Sequence, residues 1–273
     1  LQGYLLGAVA PRPIAFASTI DENGNPNLSP FSFFNVFGSN PPMMIFSPAR
    51  RVRGNTTKHT LQNVEKVKEV VINVVNYDIV QQMSLSSSEY PEGVNEFEKA
   101  GFTMLASDEI KPFRVAESPV QFECKVTDII YTGDKGGAGN LIVCEVIKIH
   151  INESVLDANG MIDQHKIDLV ARAGGSFYSR ARDGFFEIPK PVSTLGIGID
   201  QIPSAIKNST VLTGNNLGML GNITLLPTDQ DVDNFAKEHP QFIGLEMVKK
   251  HTFAQEYLEN NDTESAWKVL LLK

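Results

Sequence analysis

The chain divides by the period of its apolar positions. Between Pro13 and Pro48 the pattern favours β structure: "PIAFASTI" and "NLSPFSFFNVF" flank "DENGNPN", and "PPMMIFSP" follows. The Asn-Gly pair supplies the positive φ that a tight hairpin turn demands, so the flanking runs read as a strand and its return strand, with a third behind. Proline donates no ladder hydrogen bond, which confines these runs to edges, bends or loop entries. The period then changes. Leu61, Val64 and Val67 recur at helical spacing in "TTKHTLQNVEKVKEV", predicting a helix from about Thr57. Val70 to Asn76 reads as a short strand, and "DIVQQMSLSSS" and "NEFEKAG" as short helices. Two long strands follow, "SPVQFECKVTDIIYTG" and "NLIVCEVIKIHI", joined by the glycine-rich turn "GDKGGAGN"; alternation in both predicts one buried face.

From Gly184 the pattern shifts again. "IPKPVSTLGIGIDQIP" is rich in Pro and Gly, and helical segments follow at "DQIPSAIKNS", "TDQDVDNFAKEHP" and "HTFAQEYLENNDTESAWKVLLLK". Thr228 is the expected N-cap of the second segment, and Asp262 or Thr263 caps a helix within the third. The chain is therefore read as a β-rich domain over residues 1–185 and a partly helical extension over 186–273, packed on that domain or on a partner subunit.

Composition narrows the function by exclusion. The net charge of −8 argues against a surface that coats nucleic acid, whose affinity rests on neutralising phosphates. No apolar run approaches the ~20 residues needed to span a bilayer, and no secretory leader is evident. Cys124 and Cys144 make no disulfide framework; each sits in a strand-like alternation and reads as a buried free thiol of a reducing cytoplasm, with a disulfide as the alternative.

Familiar catalytic patterns are missing. "GIGID" (Gly196 to Asp200) lacks the third glycine of a dinucleotide fingerprint, and "GDKGGAGN" lacks the Gly-Lys-Ser/Thr ending of a phosphate loop. The histidines at 59, 150, 165, 239 and 251 are scattered without metal-ligand spacing. There is no Gly-x-Ser-x-Gly elbow. No catalytic side chain is nominated, which points to a cofactor that brings its own chemistry.

The opening segment gives that cofactor a shape. "PRPIAFAST", "NGNPNLSPFSFFN", "SNPPMMIFS" and "KHTLQN", followed by "FEKAGFT", "RVAESPVQFECKV" and "VARAGGSFYSR", resemble the flavin reductase-like family in order, over about Pro11 to Arg182. The match is nearest to the subgroup that includes flavoredoxin. His59 departs from it, standing where many relatives have Asp, and the segment after Arg182 matches no family function. The resemblance implies a mainly β fold, an FMN-binding split β-barrel of Greek-key type with flanking helices. It implies FMN as cofactor, NADH or NADPH as electron donor with hydride passing to flavin N5, and a homodimer with FMN at or near the subunit interface.

The resemblance also assigns residues. Arg12, Pro13 and Ile14 would pass close to the flavin ring, and Ser32, Phe33, Phe34 and Asn35 would line the same pocket. Asn35 offers donor and acceptor, and Ser32 one hydroxyl. Core packing is the competing reading for Phe31, Phe33 and Phe34, because alternation sends neighbours to opposite faces. Ser47, Lys58 and Thr60, with Arg50 as a further clamp, would hold the phosphate near a helix N-terminus; Arg51 and Arg53 lie in the same loop. The competing reading is a solvated basic loop with Thr57 or Thr60 as a cap. Arg172, Gly174, Gly175 and Tyr178 would form a pocket wall, or else a tight turn with Tyr178 packed structurally.

Two function classes follow. One is an NAD(P)H-dependent flavin reductase or oxidoreductase; the other is a flavoredoxin-like carrier exchanging electrons with a redox partner protein. No nicotinamide motif decides between them. A barrel that has lost FMN and serves as an interaction scaffold is a third reading.

Overall fold

A computed structural model describes residues 1–91, 93–189 and 195–273. Two compact units emerge, Leu1–Phe186 and Glu187–Lys273.

The first unit opens with helix α1 (Gln2–Ala8) and strands β1 (Ala15–Ile20), β2 (Pro26–Phe31), β3 (Phe34–Ser39) and β4 (Pro42–Phe46). The β1–β2 turn spans five residues, not two: the Asp21 carboxylate accepts from the backbone N–H of Asn23 and Asn25, and Gly24 alone takes positive φ, at 86°. The expected single return strand is two strands, broken at Ser32–Phe33. Next come α2 (His59–Lys66), β5 (Glu69–Asn73), α3 (Val80–Leu85) and α4 (Glu96–Ala100). A two-residue pair, β6 (Met104–Leu105) with β7 (Arg114–Val115), precedes the long hairpin of β8 (Val120–Tyr131) and β9 (Asn140–Ile151). Then α5 (Gln164–Ile167) leads to the short hairpin β10 (Val170–Arg172) and β11 (Tyr178–Arg180).

Seven strands form one antiparallel sheet in the order β2-β1-β5-β8-β9-β4-β3. Its two edge strands are consecutive in sequence, so the sheet curls until the Ser32–Phe33 corner joins its edges. There the Ser47 N–H donates to the Phe33 carbonyl at 2.9 Å. Alternation puts Ala15, Ala17, Phe31, Met44, Phe46, Ile72, Cys124 and Ile142 in a shared core, with the Phe31 and Phe46 rings 5.6 Å apart. Leu61 and Val64 of α2 pack on this core. Cys124 and Cys144 are free, buried thiols, and burial pushes Cys124 up to about 12, which leaves it unreactive.

The second unit is helical: α6 (Ser204–Lys207), α7 (Gly214–Gly221), α8 (Asp229–Glu238), α9 (Met247–Glu259) and α10 (Thr263–Leu271). Thr228 forms a capping box with Asp231, and Asp262 caps α10 by accepting from the Ser265 N–H. Trp267 is fully buried in this unit's core, and its indole N–H donates to the Leu220 carbonyl at 3.0 Å. The first part of "IPKPVSTLGIGIDQIP" includes residues 190–194, outside the described residues. "GIGID" is a packing device: Gly196 and Gly198 press on the end of α7, and a Cβ at Gly196 would lie 2.5 Å from the Gly221 carbonyl. No helix of the described residues is long and apolar enough to cross a membrane.

Candidate functional site

The N-terminus of α2 opens into a polar pocket beside β2 and the segment after α3. The helix begins at His59, two residues later than its sequence pattern suggests, and its N-cap is Lys58. No side chain caps it. Neither Thr57 nor Thr60 does so: the Thr57 hydroxyl accepts from Gln62 Nε2, while the Thr60 hydroxyl points back to β2 and donates to Asn27 Oδ1 at 2.8 Å. Among the described residues, the N–H groups of His59 and Thr60 find no acceptor. Uncapped N–H groups at a helix start carry partial positive charge and take an anion readily.

Cationic side chains gather at the same place. Lys58 and Arg51 both line the pocket, with Ser29, Ser88 and His59. Burial lowers the Lys58 pKa below the usual lysine value, and the Arg51 charge lowers it further. An anion would relieve both effects. Arg51 is tethered: its Nε donates to Glu89 at 3.0 Å and its Nη1 to the Thr57 carbonyl at 2.6 Å. The enclosed part of the pocket measures about 20 Å³, room for one water-sized group, so a larger anion would sit in its mouth.

A buried hydrogen-bond chain fixes this geometry. Asn27 Nδ2 donates to Glu96 Oε1 at 3.0 Å, and the Leu28 N–H donates to Glu96 Oε2 at 3.1 Å. Glu96 lies in the first turn of α4, placed by the Asn95 cap. Its burial raises the carboxyl pKa, with the donated hydrogen bonds opposing. Asn27, Glu96 and Ser86 to Ser88 are pocket residues that local sequence pattern did not reveal, since they come from segments far apart in the chain.

Two other nominees of the phosphate group brace the loop instead of lining the pocket. Ser47 is buried and accepts from the Asn140 N–H at 3.0 Å. Arg50 binds Asn55, through Oδ1 and the main-chain carbonyl, while its own N–H donates to Ala138. The glycine-rich turn between β8 and β9 thus buttresses the 47–58 loop. Gly136 is obligatory there: a Cβ would meet the Val52 carbonyl at 2.8 Å. Arg53 is exposed.

The nominated ring-edge residues divide. The Arg12 guanidinium is buried and committed to protein: Nη1 donates to the carbonyls of Leu6 and Val9, Nη2 to that of Ala173, and Nε approaches the Ser32 hydroxyl at 3.4 Å. Its backbone N–H and C=O both pair with Arg172. Pro13 has no N–H, and Ile14 is buried in the core beneath β1. Phe34 is half-buried against the barrel core. What stays open is the Phe33 ring, 47% exposed, the Ser32 hydroxyl proton and the Asn35 amide, whose Oδ1 accepts from the Val36 N–H. The Arg172 guanidinium folds onto its own hairpin, donating to the carbonyls of Phe177 and Gly175. Tyr178 lines a different cleft, with Tyr77 and Arg180.

One three-dimensional cluster was invisible to spacing. Asp108, Glu123 and His150 bring ligand atoms within 4.8 Å of one another. Lys148 lies 2.6 Å from Asp108, Arg114 flanks both carboxylates, and His150 Nε2 is 2.6 Å from Glu123. The charges are already matched, so this is an ion-pair network of the hairpin.

The barrel, its corner and the basic loop define a family. The flavin reductase like domain matches residues 7–168, and the chain belongs to that family. Curated relatives include uncharacterized proteins of Aquifex aeolicus, 38% identical over 181 residues (66% of this chain, 90% of that protein), and of Halalkalibacterium halodurans, 35% identical over 183 residues (66% and 87%). Among solved structures, component B of nitrilotriacetate monooxygenase from Bacillus cereus is 25% identical, covering 69% of this chain and 91% of its own, with a TM-score of 0.63. The 2-nitrobenzoate 2-nitroreductase of Pseudomonas fluorescens is 26% identical, covering 72% and 93%, with a TM-score of 0.62. Flavoredoxin of Desulfovibrio vulgaris shares the fold at 19% identity and a TM-score of 0.57, covering 68% and 93%. The second unit lies beyond the family match.

Proposed function

We propose that the first unit is an FMN-binding oxidoreductase module, with the phosphate at the α2 N-terminus and the ring toward the Ser32–Asn35 corner. The observation that carries this reading is the uncapped start of α2 beside Lys58, a half-buried cation with no bonded partner among the described residues. A phosphate monoester suits that donor set: two free N–H groups, an ammonium, a tethered guanidinium and open hydroxyls at Ser29 and Ser88. Bound FMN would supply hydride acceptance from a reduced nicotinamide and onward electron delivery.

The protein's part is to bind, orient and shield. Glu96 holds Asn27, Asn27 holds Thr60, and the first turn of α2 is thereby fixed relative to β2. The Phe33 ring and the Asn35 amide present one apolar face and one polar edge at the corner. The Arg12 guanidinium pins α1 and the segment after β10 around the corner.

A homodimer fits the exposed apolar residues Val36 and Phe37 on β3 and Ile147, Ile149 and Ile151 on β9, since apolar surface of this kind favours a partner. Sedimentation is expected to give twice the chain mass. Stopped-flow mixing of the flavin-loaded protein with NADH or NADPH tests the reaction. Bleaching by either supports the enzyme. Bleaching by a reduced protein donor alone would instead assign an electron carrier.

A further inference from the structure

A second cleft opens between the segment that includes α3 and the β10–β11 hairpin. Its volume is about 170 Å³, close to the ~150 Å³ cavity that accepts one benzene ring and well below the ~300 Å³ at which sites for larger ligands begin. It therefore suits one ring with a small substituent.

Two tyrosines, Tyr77 and Tyr178, line it together with Arg180, and each tyrosine carries a guanidinium over its ring, that of Arg172 coming from outside the lining. The Arg180 guanidinium lies 3.8 Å from the Tyr77 ring centroid, and that of Arg172 lies 4.8 Å from the Tyr178 centroid. Arg180 is held flat by Asp168, which accepts from Nε at 2.9 Å and from Nη2 at 2.5 Å. This pairing holds the Asp168 carboxyl below its usual pKa, so the brace stays charged. Among the described residues, Arg180 Nη1 has no protein acceptor, whereas the Arg172 terminal nitrogens are bonded to carbonyls of their own hairpin. Arg180 thus keeps a donor edge in a fixed plane. Gln81 and Ser84, three residues apart on α3, put an amide and a hydroxyl on one helix face. Val80 adds apolar surface. Among the described residues Arg180 is the one charged side chain of the lining, and Asp168, outside the lining, is its ion-pair partner.

We propose that this cleft is a binding site for a single-ring aromatic carboxylate. The aromatic walls and Val80 take the ring, Arg180 takes the carboxylate, and Gln81 with Ser84 discriminates among ring substituents. The site involves none of the pocket residues assigned to the FMN phosphate, and its test reads binding directly, without flavin turnover.

The probe is benzoate, titrated into the full chain and followed by calorimetry and saturation-transfer NMR. Saturable binding is expected, at about millimolar dissociation constant or tighter. Cyclohexanecarboxylate, equal in charge but without a π-face, and benzyl alcohol, without the carboxylate, are expected to bind at least about tenfold more weakly. Ser84→Trp fills the cleft from an exposed helix position and should abolish binding; Gln81→Trp replaces it if the first variant melts early. Arg180→Lys keeps the charge but loses the planar fork, and should weaken binding about fivefold or more. Absence of saturable benzoate binding, equal binding of cyclohexanecarboxylate, or unchanged affinity in a folded cleft-filling variant would overturn the proposal.

Discussion

The Thr60 hydroxyl donates to the Asn27 side-chain carbonyl at 2.8 Å, joining the first turn of α2 to strand β2. Both side chains are buried, and Asn27 passes the constraint on to Glu96. Thr60→Val leaves Asn27 Oδ1 with a single, longer contact to Thr19 at 3.4 Å. It is expected to cost about 1–2 kcal/mol in stability, as a lost buried hydrogen bond does. Glu96→Gln sets an NH2 group against a donor, Asn27 or the Leu28 N–H, and should cost about 1–3 kcal/mol. Urea unfolding followed by far-ultraviolet circular dichroism measures both.

Glu96 also sets a pH dependence. Its folded pKa is raised above the ordinary 4.5, so the native state holds that proton more tightly than the unfolded chain. The resulting stability is fully present below about pH 4.5 and is lost as pH rises through the raised value. Comparing wild type with Glu96→Gln across that window should isolate this contribution, with a flatter profile in the variant.

Lys58→Ala combined with Thr60→Ala tests the phosphate assignment. Losing the half-buried ammonium and disturbing the helix start should weaken FMN binding at least about tenfold, while riboflavin, which lacks the phosphate, should lose much less. Flavin fluorescence titration reads both affinities. An unchanged FMN affinity would place the phosphate elsewhere.

Gly136 tests the buttress. A Cβ there would meet the backbone carbonyl of Val52 at 2.8 Å, whereas one at Gly133 meets only the Ala138 Cβ at 3.5 Å. Gly136→Ala should therefore cost about 1–3 kcal/mol and lower flavin affinity by displacing the loop that carries Arg51. Gly133→Ala should leave both near wild type.

His251 gives the second unit a separate pH signature. It is buried with Nε2 unpartnered among the described residues, and burial lowers its pKa below 6.5. The unfolded chain takes that proton more readily, so stability present above about pH 6.5 is lost as pH falls through the lowered value. Trp267 is the only tryptophan and lies in this unit, so its fluorescence melt reports the change directly. His251→Leu should flatten the dependence.

The barrel was legible wherever one physical signal dominated. Strict alternation in the 120–151 hairpin announced two long strands with one buried face, and both formed as read. The break at Ser32–Phe33 was hidden, because residues 26–39 carry one unbroken strand-like run; the corner is set by Ser47 bonding to Phe33 from another strand's end. Helix α7 was hidden too. Gly214, Gly218 and Gly221 give it poor intrinsic propensity, and it is held by the Thr213 capping box and the Trp267 indole. In the site, the helix start marked the basic loop, and the family resemblance singled out Lys58 and Thr60 within it. Asn27, Glu96 and Ser86 to Ser88 could not, because buried hydrogen bonds join segments with no local pattern in common.

The central claim, that the first unit holds FMN at the start of α2, is tested most directly by the visible absorbance of freshly purified protein, with FMN added if it is pale. The expected result is a flavin spectrum, present as isolated or restored at one FMN per chain, with the released cofactor identified by chromatography as FMN. A colourless protein that leaves the absorbance and fluorescence of added FMN unchanged would contradict it.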